Sequence, residues 1–62
     1  MINMLTADTI TDEQIQELEA SLLATNGETY EICLVALRAP LGSLRRVQAR
    51  ARCAELLNAR AR

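Results

Sequence analysis

The sequence predicts an all-α domain of three helices, and three observations lead to that prediction. Apolar residues recur at helical spacing in three segments, and pairs containing glycine or proline separate these segments. The chain has 62 residues, enough for one small domain. Strong helix formers dominate its last third. We therefore expect a single domain over residues 1–62, with helices at about 11–25, 28–39 and 43–60.

The first predicted helix has a start signal, an apolar stripe and a stop signal. Thr11, followed three residues later by Gln14, matches a capping box. Isoleucine and leucine then recur on one helical face: Ile15, Leu18, Leu22 and Leu23. Asn26-Gly27 predicts the end of this helix, because both residue types tolerate the left-handed conformation. Residues 1–9 are expected to form a loosely ordered lead-in, although Met4 and Leu5 could fold back on the core.

The second predicted helix is apolar on nearly every side. Its spacing is that of a helix at i, i+3, i+4 and i+7: Tyr30, Cys33, Leu34 and Leu37. The same stretch, TYEICLVAL, is rich in residue types that strands favour, so a strand is the alternative. Helix is the preferred prediction, and Pro40 ends it. A helix without a polar face is usually central or shared with a neighbour.

The third predicted helix carries two apolar stripes. Ser43 is its expected N-cap, after the turn formed by Pro40-Leu41-Gly42. One stripe is rich in small residues: Leu44, Val47, Ala51 and Ala54. The other lies roughly opposite: Ala49, Cys53, Leu56 and Leu57. A monomer of this size cannot cover all of this apolar surface, so we expect a homodimer. The candidate interface residues are Tyr30, Leu34, Leu56 and Leu57.

Charge is divided between the two halves of the chain. Seven of the eight acidic residues lie in residues 1–31, and all seven basic residues are arginines from Arg38 onward. Four arginines form a candidate charged surface for a partner: Arg45, Arg46, Arg50 and Arg52. The preferred interpretation is that these arginines face solvent or the acidic first helix. The alternatives are an acidic protein partner or the phosphates of a nucleic acid, which would make the chain a nucleic-acid-binding regulator.

Composition argues against several classes of function. The chain has no His, so it lacks the usual general base, and no Gly-rich phosphate loop is present. We therefore expect no enzyme, no catalytic residue and no cofactor. Two cysteines cannot complete a four-ligand zinc site within one chain, which argues against a metal. One aromatic residue and a pI near 5.2 argue against a nucleic-acid binder.

The cysteines and the N-terminus indicate where the protein works. No apolar run reaches the length of a membrane span, and residues 1–11 lack the layout of a signal peptide. We expect a cytoplasmic protein that does not insert into a membrane. Cys33 and Cys53 are then expected to be reduced core thiols. A bridge between them is the alternative, if the second and third helices pack closely enough.

The pattern ITDEQI…C..AL…ARARCAELLNARA resembles the short helical open reading frames of phages and mobile elements in GC-rich bacteria. This resemblance covers most of the chain and assigns no functional residue. It implies an accessory role, in which a small protein binds and modulates a protein of the host or phage. The sequence therefore predicts a non-enzymatic protein-binding module.

Overall fold

Three helices make up the fold of the computed structural model, which describes residues 4–22 and 27–60. They are α1 (Asp12–Leu22), α2 (Gly27–Arg38) and α3 (Leu44–Arg60), and no strand occurs in these ranges. The all-α prediction is confirmed, and the second segment is a helix rather than a strand. The predicted last turn of the first helix, residues 23–25, lies outside the described residues, as do the side chains of Leu22 and Leu23.

The N-terminus of α1 forms the predicted capping box. The Thr11 backbone N–H donates to Gln14 Oε1 over 2.9 Å, and the Gln14 backbone N–H donates to Thr11 Oγ1 over 3.2 Å. These bonds satisfy donors that the helix itself cannot pair. Ile10 before the cap and Ile15 inside the helix are both buried, as in a hydrophobic staple. Local sequence therefore determines where α1 begins.

The two glycines have different roles. Gly27, which the sequence assigns to the stop after the first helix, is the first residue of α2, and its φ is not positive. Gly42 adopts φ of 80°, a conformation that costs glycine little, and this allows the tight turn between α2 and α3. Ser43 then caps α3, accepting a hydrogen bond from the Arg46 backbone N–H to its Oγ over 3.2 Å.

The core lies where α2 packs between α1 and α3. Isoleucine and leucine enter it from the α1 side, whereas α2 and α3 contribute mainly small side chains. Its buried members are Ile10, Ile15, Leu18, Cys33, Ala36, Ala49, Cys53 and Ala54. Small residues let α2 and α3 approach closely along the hairpin they form. The molecule measures only 16 Å along its shortest axis, so helix faces outside this core meet solvent.

The lead-in before α1 is held at two points. Thr6 and Thr9 close a turn, in which the Thr6 backbone N–H donates to Thr9 Oγ1 over 2.8 Å. Leu5 packs against the core, and both of its backbone polar groups bond to the side chain of Asn58 in α3. Residues 4–9, which we expected to be loosely ordered, are therefore attached to the far end of the last helix.

Candidate protein-interaction surface

Two of the four candidate arginines, Arg46 and Arg50, point inward. Each side chain is only 14% exposed. Arg46 Nη1 donates to the backbone carbonyls of Leu37 and Ala39 over 3.0 and 3.3 Å. These carbonyls lie at the C-terminus of α2, where helices leave acceptors unpaired and favour positive charge. Arg46 thus caps α2 from α3.

Arg50 links three parts of the fold. Its Nη2 donates to the carbonyl of Ile10 over 2.8 Å, and its Nη1 donates to Asp12 Oδ1 over 2.7 Å and to the carbonyl of Ala36 over 3.3 Å. The hydrogen bond from Arg50 lowers the pKa of the Asp12 carboxyl, with a smaller contribution from the charge of Arg46. The positive charge of α3 is therefore partly matched inside the subunit, at the N-terminus of α1.

Arg45 and Arg52 lie on a different face of α3 and are exposed. Arg52 pairs with Glu55 one turn away, over 2.8 Å, with both side chains more than half exposed. An exposed ion pair of this kind contributes little to the free energy of unfolding, so a partner can displace it easily. The structure therefore separates the four candidate arginines into two that hold the fold together and two that are accessible to a partner.

A groove runs between α2 and α3, and we call it the α2–α3 groove. Its apolar floor is made by Ile32, Val35 and Ala49, and its volume is about 420 Å³. The α2 wall carries Glu28 and Glu31, whereas the α3 wall carries arginine and glutamine: Arg45, Gln48 and Arg52. Among the described residues no ion pair joins the two walls. The groove is thus apolar at its base and oppositely charged on its two sides.

A second hollow continues from this groove toward the interhelical turn. Apolar side chains dominate its lining, with two arginines at its border: Leu34, Val35, Arg38, Ala39, Pro40, Ser43 and Arg45. Its volume is about 540 Å³. Val35 and Arg45 line both spaces, so the groove and the hollow are continuous. We call this second space the turn hollow.

An exposed apolar stripe runs along the start of α3 and the turn that precedes it. Leu44 and Val47 are 70% and 47% exposed, one turn apart on α3, and Leu41 in the preceding turn is 85% exposed. Ala51, on the same face, is half-buried. The spacing of Leu44, Val47 and Ala51 is that of a helix face prepared to pack on another helix. We call these four residues the exposed stripe.

The four candidate interface residues lie on α2 and α3 and differ in what they contact. Leu56 and Leu57 are half-buried and pack against the core, so most of their surface is used within the subunit. Leu34 is half-buried and lines the turn hollow. Tyr30 is half-buried on α2. Of the predicted set, Leu34 is therefore the residue that the structure places in a surface cavity.

Cys33 and Cys53 meet in the core as free thiols. Their sulfur atoms are 3.8 Å apart, and both residues are fully buried. Burial raises the pKa of both thiols, that of Cys53 to about 12. Because the thiolate is the nucleophile, these cysteines are poorly suited to covalent chemistry at neutral pH. The predicted packing role is what the structure shows, with no bridge formed.

Sequence reasoning missed the role of Asn58. Its amide both accepts from the Leu5 N–H and donates to the Leu5 carbonyl, each over 2.9 Å. The local sequence carries no signal for the contact, because the two residues are 53 positions apart.

The described residues contain neither a metal-like cluster nor a membrane-spanning helix. No three His, Cys, Asp or Glu side chains in these ranges come together as metal ligands would. None of the helices is long and apolar enough to cross a bilayer. No protein-family model, curated protein or solved structure matches the chain. The fold and its surfaces are therefore the basis for proposing what the protein does.

Proposed function

We propose that this chain is a non-enzymatic protein-binding module, and that the exposed stripe and the turn hollow form its binding surface. The observation that supports this most directly is the exposure of Leu41, Leu44 and Val47 in a chain whose core is otherwise small. Large apolar side chains that cluster on a surface mark interaction sites. The occupant that fits best is an amphipathic helix of a partner protein.

The chemistry of the turn hollow indicates which helix fits. Arg38 and Arg45 border a lining that is otherwise apolar, apart from Ser43. A partner helix with leucine-like anchors and flanking carboxylates would bury its apolar side chains there and pair with these arginines. Arg45 is exposed, so this charge would add specificity and association rate more than affinity.

The biological setting that we propose is that of an accessory protein from a phage or mobile element. In that role the chain works in the cytoplasm as a homodimer and modulates or inhibits a host protein by occupying its surface. Catalysis and a bound cofactor play no part in this mechanism. The buried thiols of Cys33 and Cys53 support a packing role rather than a reactive one.

A pull-down from host lysate treated with nuclease tests the proposal. The wild-type chain is expected to retain a protein partner, and Leu44→Asp is expected to lose it. Leu44 is the first residue of α3 and is exposed, so an aspartate there is compatible with the fold. Ala20→Asp is the matched control, because it adds the same charge at an exposed position of α1.

Two results would count against this proposal. One is capture that disappears with nuclease, which would favour the nucleic-acid alternative. The other is capture that Leu44→Asp leaves intact, which would place the binding surface elsewhere on the molecule. Circular dichroism of both variants shows whether the helices are preserved.

A further inference from the structure

We infer that the α2–α3 groove is the site where a second copy of this chain docks, in a two-fold pair in which α2 of each copy packs antiparallel to α3 of the other. The inference names the surface and geometry of the proposed homodimer and rests on that part of the proposed function. It does not depend on the partner helix at the exposed stripe.

The floor of the groove supplies the apolar contact. Ile32 and Val35 are half-buried on α2 in the isolated chain, and Ala49 on α3 has little side chain to fill the space. This leaves an open volume of about 420 Å³ above apolar atoms. The molecule is only 16 Å thick along its shortest axis. If α2 and α3 of a second copy pack on this face, the four helices form two packed layers, as in a four-helix bundle.

The charges on the walls select the occupant. One wall carries two carboxylates, Glu28 and Glu31, and the other carries two guanidinium groups, Arg45 and Arg52. A polyanion such as nucleic acid would meet the carboxylates, and a purely acidic peptide would do the same. A surface with its own charges in the reverse order fits both walls, and a second copy of this chain has such a surface.

Symmetry then fixes the orientation. In a two-fold pair the axis lies in the interface, either along the groove or across it. An axis across the groove would place acidic wall on acidic wall. An axis along the groove turns one copy over, so that the acidic wall of each copy faces the basic wall of the other. Only the second arrangement brings opposite charges together.

The level of each side chain along the axis identifies the expected pair. The contact between Cys33 and Cys53 places Arg52 close to the level of Cys33 on the neighbouring helix. Glu31 is two residues from Cys33 and Arg52 is one residue from Cys53 in the opposite direction, so the two lie about 4.5 Å apart along the helix axes, within reach of an arginine side chain. Rotation about an axis along the groove leaves these levels unchanged. Glu31 of each copy therefore meets Arg52 of the second copy, at two equivalent places.

The same axis has a consequence for the rest of the surface. It brings the turn hollows of both copies to the same end of the dimer. Leu34 and Pro40 of each copy then border a composite surface with twofold symmetry. A dimer of this geometry covers Glu31 and Arg52 and leaves the exposed stripe of α3 and the Arg38 edge of the turn hollow accessible.

Charge reversal tests the pairing. Glu31→Arg and Arg52→Glu are each expected to weaken dimerisation about tenfold or more, since each change turns two attractive pairs into repulsive ones. The double variant restores the pairing with its signs exchanged, and its Kd is expected to return to within about threefold of wild type. Sedimentation equilibrium at micromolar concentration measures Kd, and the wild-type dimer has about twice the 6.9 kDa mass of one chain.

Controls separate association from folding and from net charge. Both positions are exposed, so circular dichroism should show the same helix content in every variant. Glu17→Arg on α1 adds the same charge as Glu31→Arg at another exposed position, and its Kd is expected to equal that of wild type.

Three outcomes would overturn the inference. The first is a wild-type chain that remains monomeric throughout, which also removes the proposed homodimer. The second is a dimer that neither single reversal weakens, which leaves the homodimer standing but places it on another surface. The third is a double variant no tighter than the single variants. Partner capture by the monomeric Glu31→Arg variant would show that the protein-binding proposal stands independently of this pairing.

Discussion

The arginines of α3 show how one residue type takes opposite roles in a single helix. Arg46 and Arg50 bond to backbone carbonyls and to Asp12, whereas Arg45 and Arg52 remain exposed. A planar guanidinium with five donors can satisfy several carbonyls at once. Arg50 therefore stabilises the fold through several hydrogen bonds, whereas the charge of Arg45 is accessible to solvent or a partner.

Substitution of these arginines should separate the two roles. Arg50→Gln loses its charged hydrogen bonds to Ile10 and Ala36, so we expect a loss of about 2–3 kcal/mol in the free energy of unfolding. Arg45→Gln removes an exposed charge and should change that free energy by less than about 0.5 kcal/mol. Urea denaturation followed by circular dichroism measures both. Equal effects would contradict the division of roles.

Asp12 should make stability depend on pH in a defined direction. Its pKa is lowered in the folded chain from the ordinary value of 3.8, mainly by the hydrogen bond from Arg50. The stability it contributes is therefore fully present above that ordinary value and is lost as pH falls through the lowered folded value.

The variant Asp12→Asn isolates this contribution. The difference in unfolding free energy between wild type and Asp12→Asn should be constant at neutral pH and shrink as the pH falls below about 4. Glu17→Gln, at an exposed position of the same helix, is the control for general carboxylate titration. A difference that grows on acidification would mean that the ion pair with Arg50 does not stabilise the fold.

At the scale of elements, α3 organises the other segments of the chain. Its N-terminal half caps α2 through Arg46, and its C-terminal half holds the lead-in through Asn58. Its central Cys53 contacts Cys33 on α2. One helix thus touches every other described segment, which explains why it is the longest and carries few exposed apolar residues beyond its first turns.

Removal of the Asn58 amide should release the lead-in. Asn58→Ala loses two hydrogen bonds to Leu5, and we expect a loss of about 1–2 kcal/mol in unfolding free energy. Hydrogen exchange at the Leu5 amide should become faster than exchange through global unfolding, because the lead-in can then open locally. Gln48→Ala is the control, since Gln48 is exposed on the same helix. Unchanged exchange at Leu5 would show that the lead-in is held by packing alone.

The thiols that join α2 and α3 should behave as core atoms. Cys33 and Cys53 are buried and their pKa values are raised, so we expect a thiol reagent to label them only on unfolding. Dithiothreitol should leave Tm unchanged. A marked fall in Tm would instead reveal a bridge, whose loss costs about 2–4 kcal/mol.

At the scale of the molecule, the opposite charges of the two halves have two uses. Part of the charge is matched within the subunit, between the N-terminus of α1 and Arg46 and Arg50 of α3. Another part faces outward across the α2–α3 groove, where each wall carries a single sign. The chain is therefore close to neutral overall and still has a surface whose two signs of charge can fix the orientation of a partner.

Nucleic-acid binding should be weak for this reason. We expect no affinity for a generic duplex tighter than about 10⁻⁴–10⁻⁶ M at moderate salt. Since Arg46 and Arg50 are engaged within the fold, contacts by Arg45 and Arg52 alone would give a log–log salt slope near −2. Fluorescence anisotropy with labelled DNA and RNA measures both quantities. Nanomolar binding that Arg45→Gln/Arg52→Gln abolishes would favour a regulator of nucleic acid.

Local sequence determined the three helices, the start of α1 and the turn between α2 and α3. Thr11 with Gln14, Ser43 and the Gly42 turn act within a few residues of themselves, so their signals are readable without a fold. The apolar spacing also predicted a core role for Cys33 and Cys53. The position of Gly27 is the exception, because its conformational freedom is compatible with both the end of one helix and the start of the next.

Tertiary structure decided how the arginines and leucines of α3 are used. Nothing local distinguishes Arg50 from Arg52, and only the approach of Ile10 and Ala36 to α3 turns Arg50 inward. Leu56 and Leu57 likewise pack inward, whereas Leu44 stays exposed, because α1, α2 and the lead-in cover one side of α3. Burial and pairing depend on groups that are distant in the chain, and the periodicity of one helix does not contain that information.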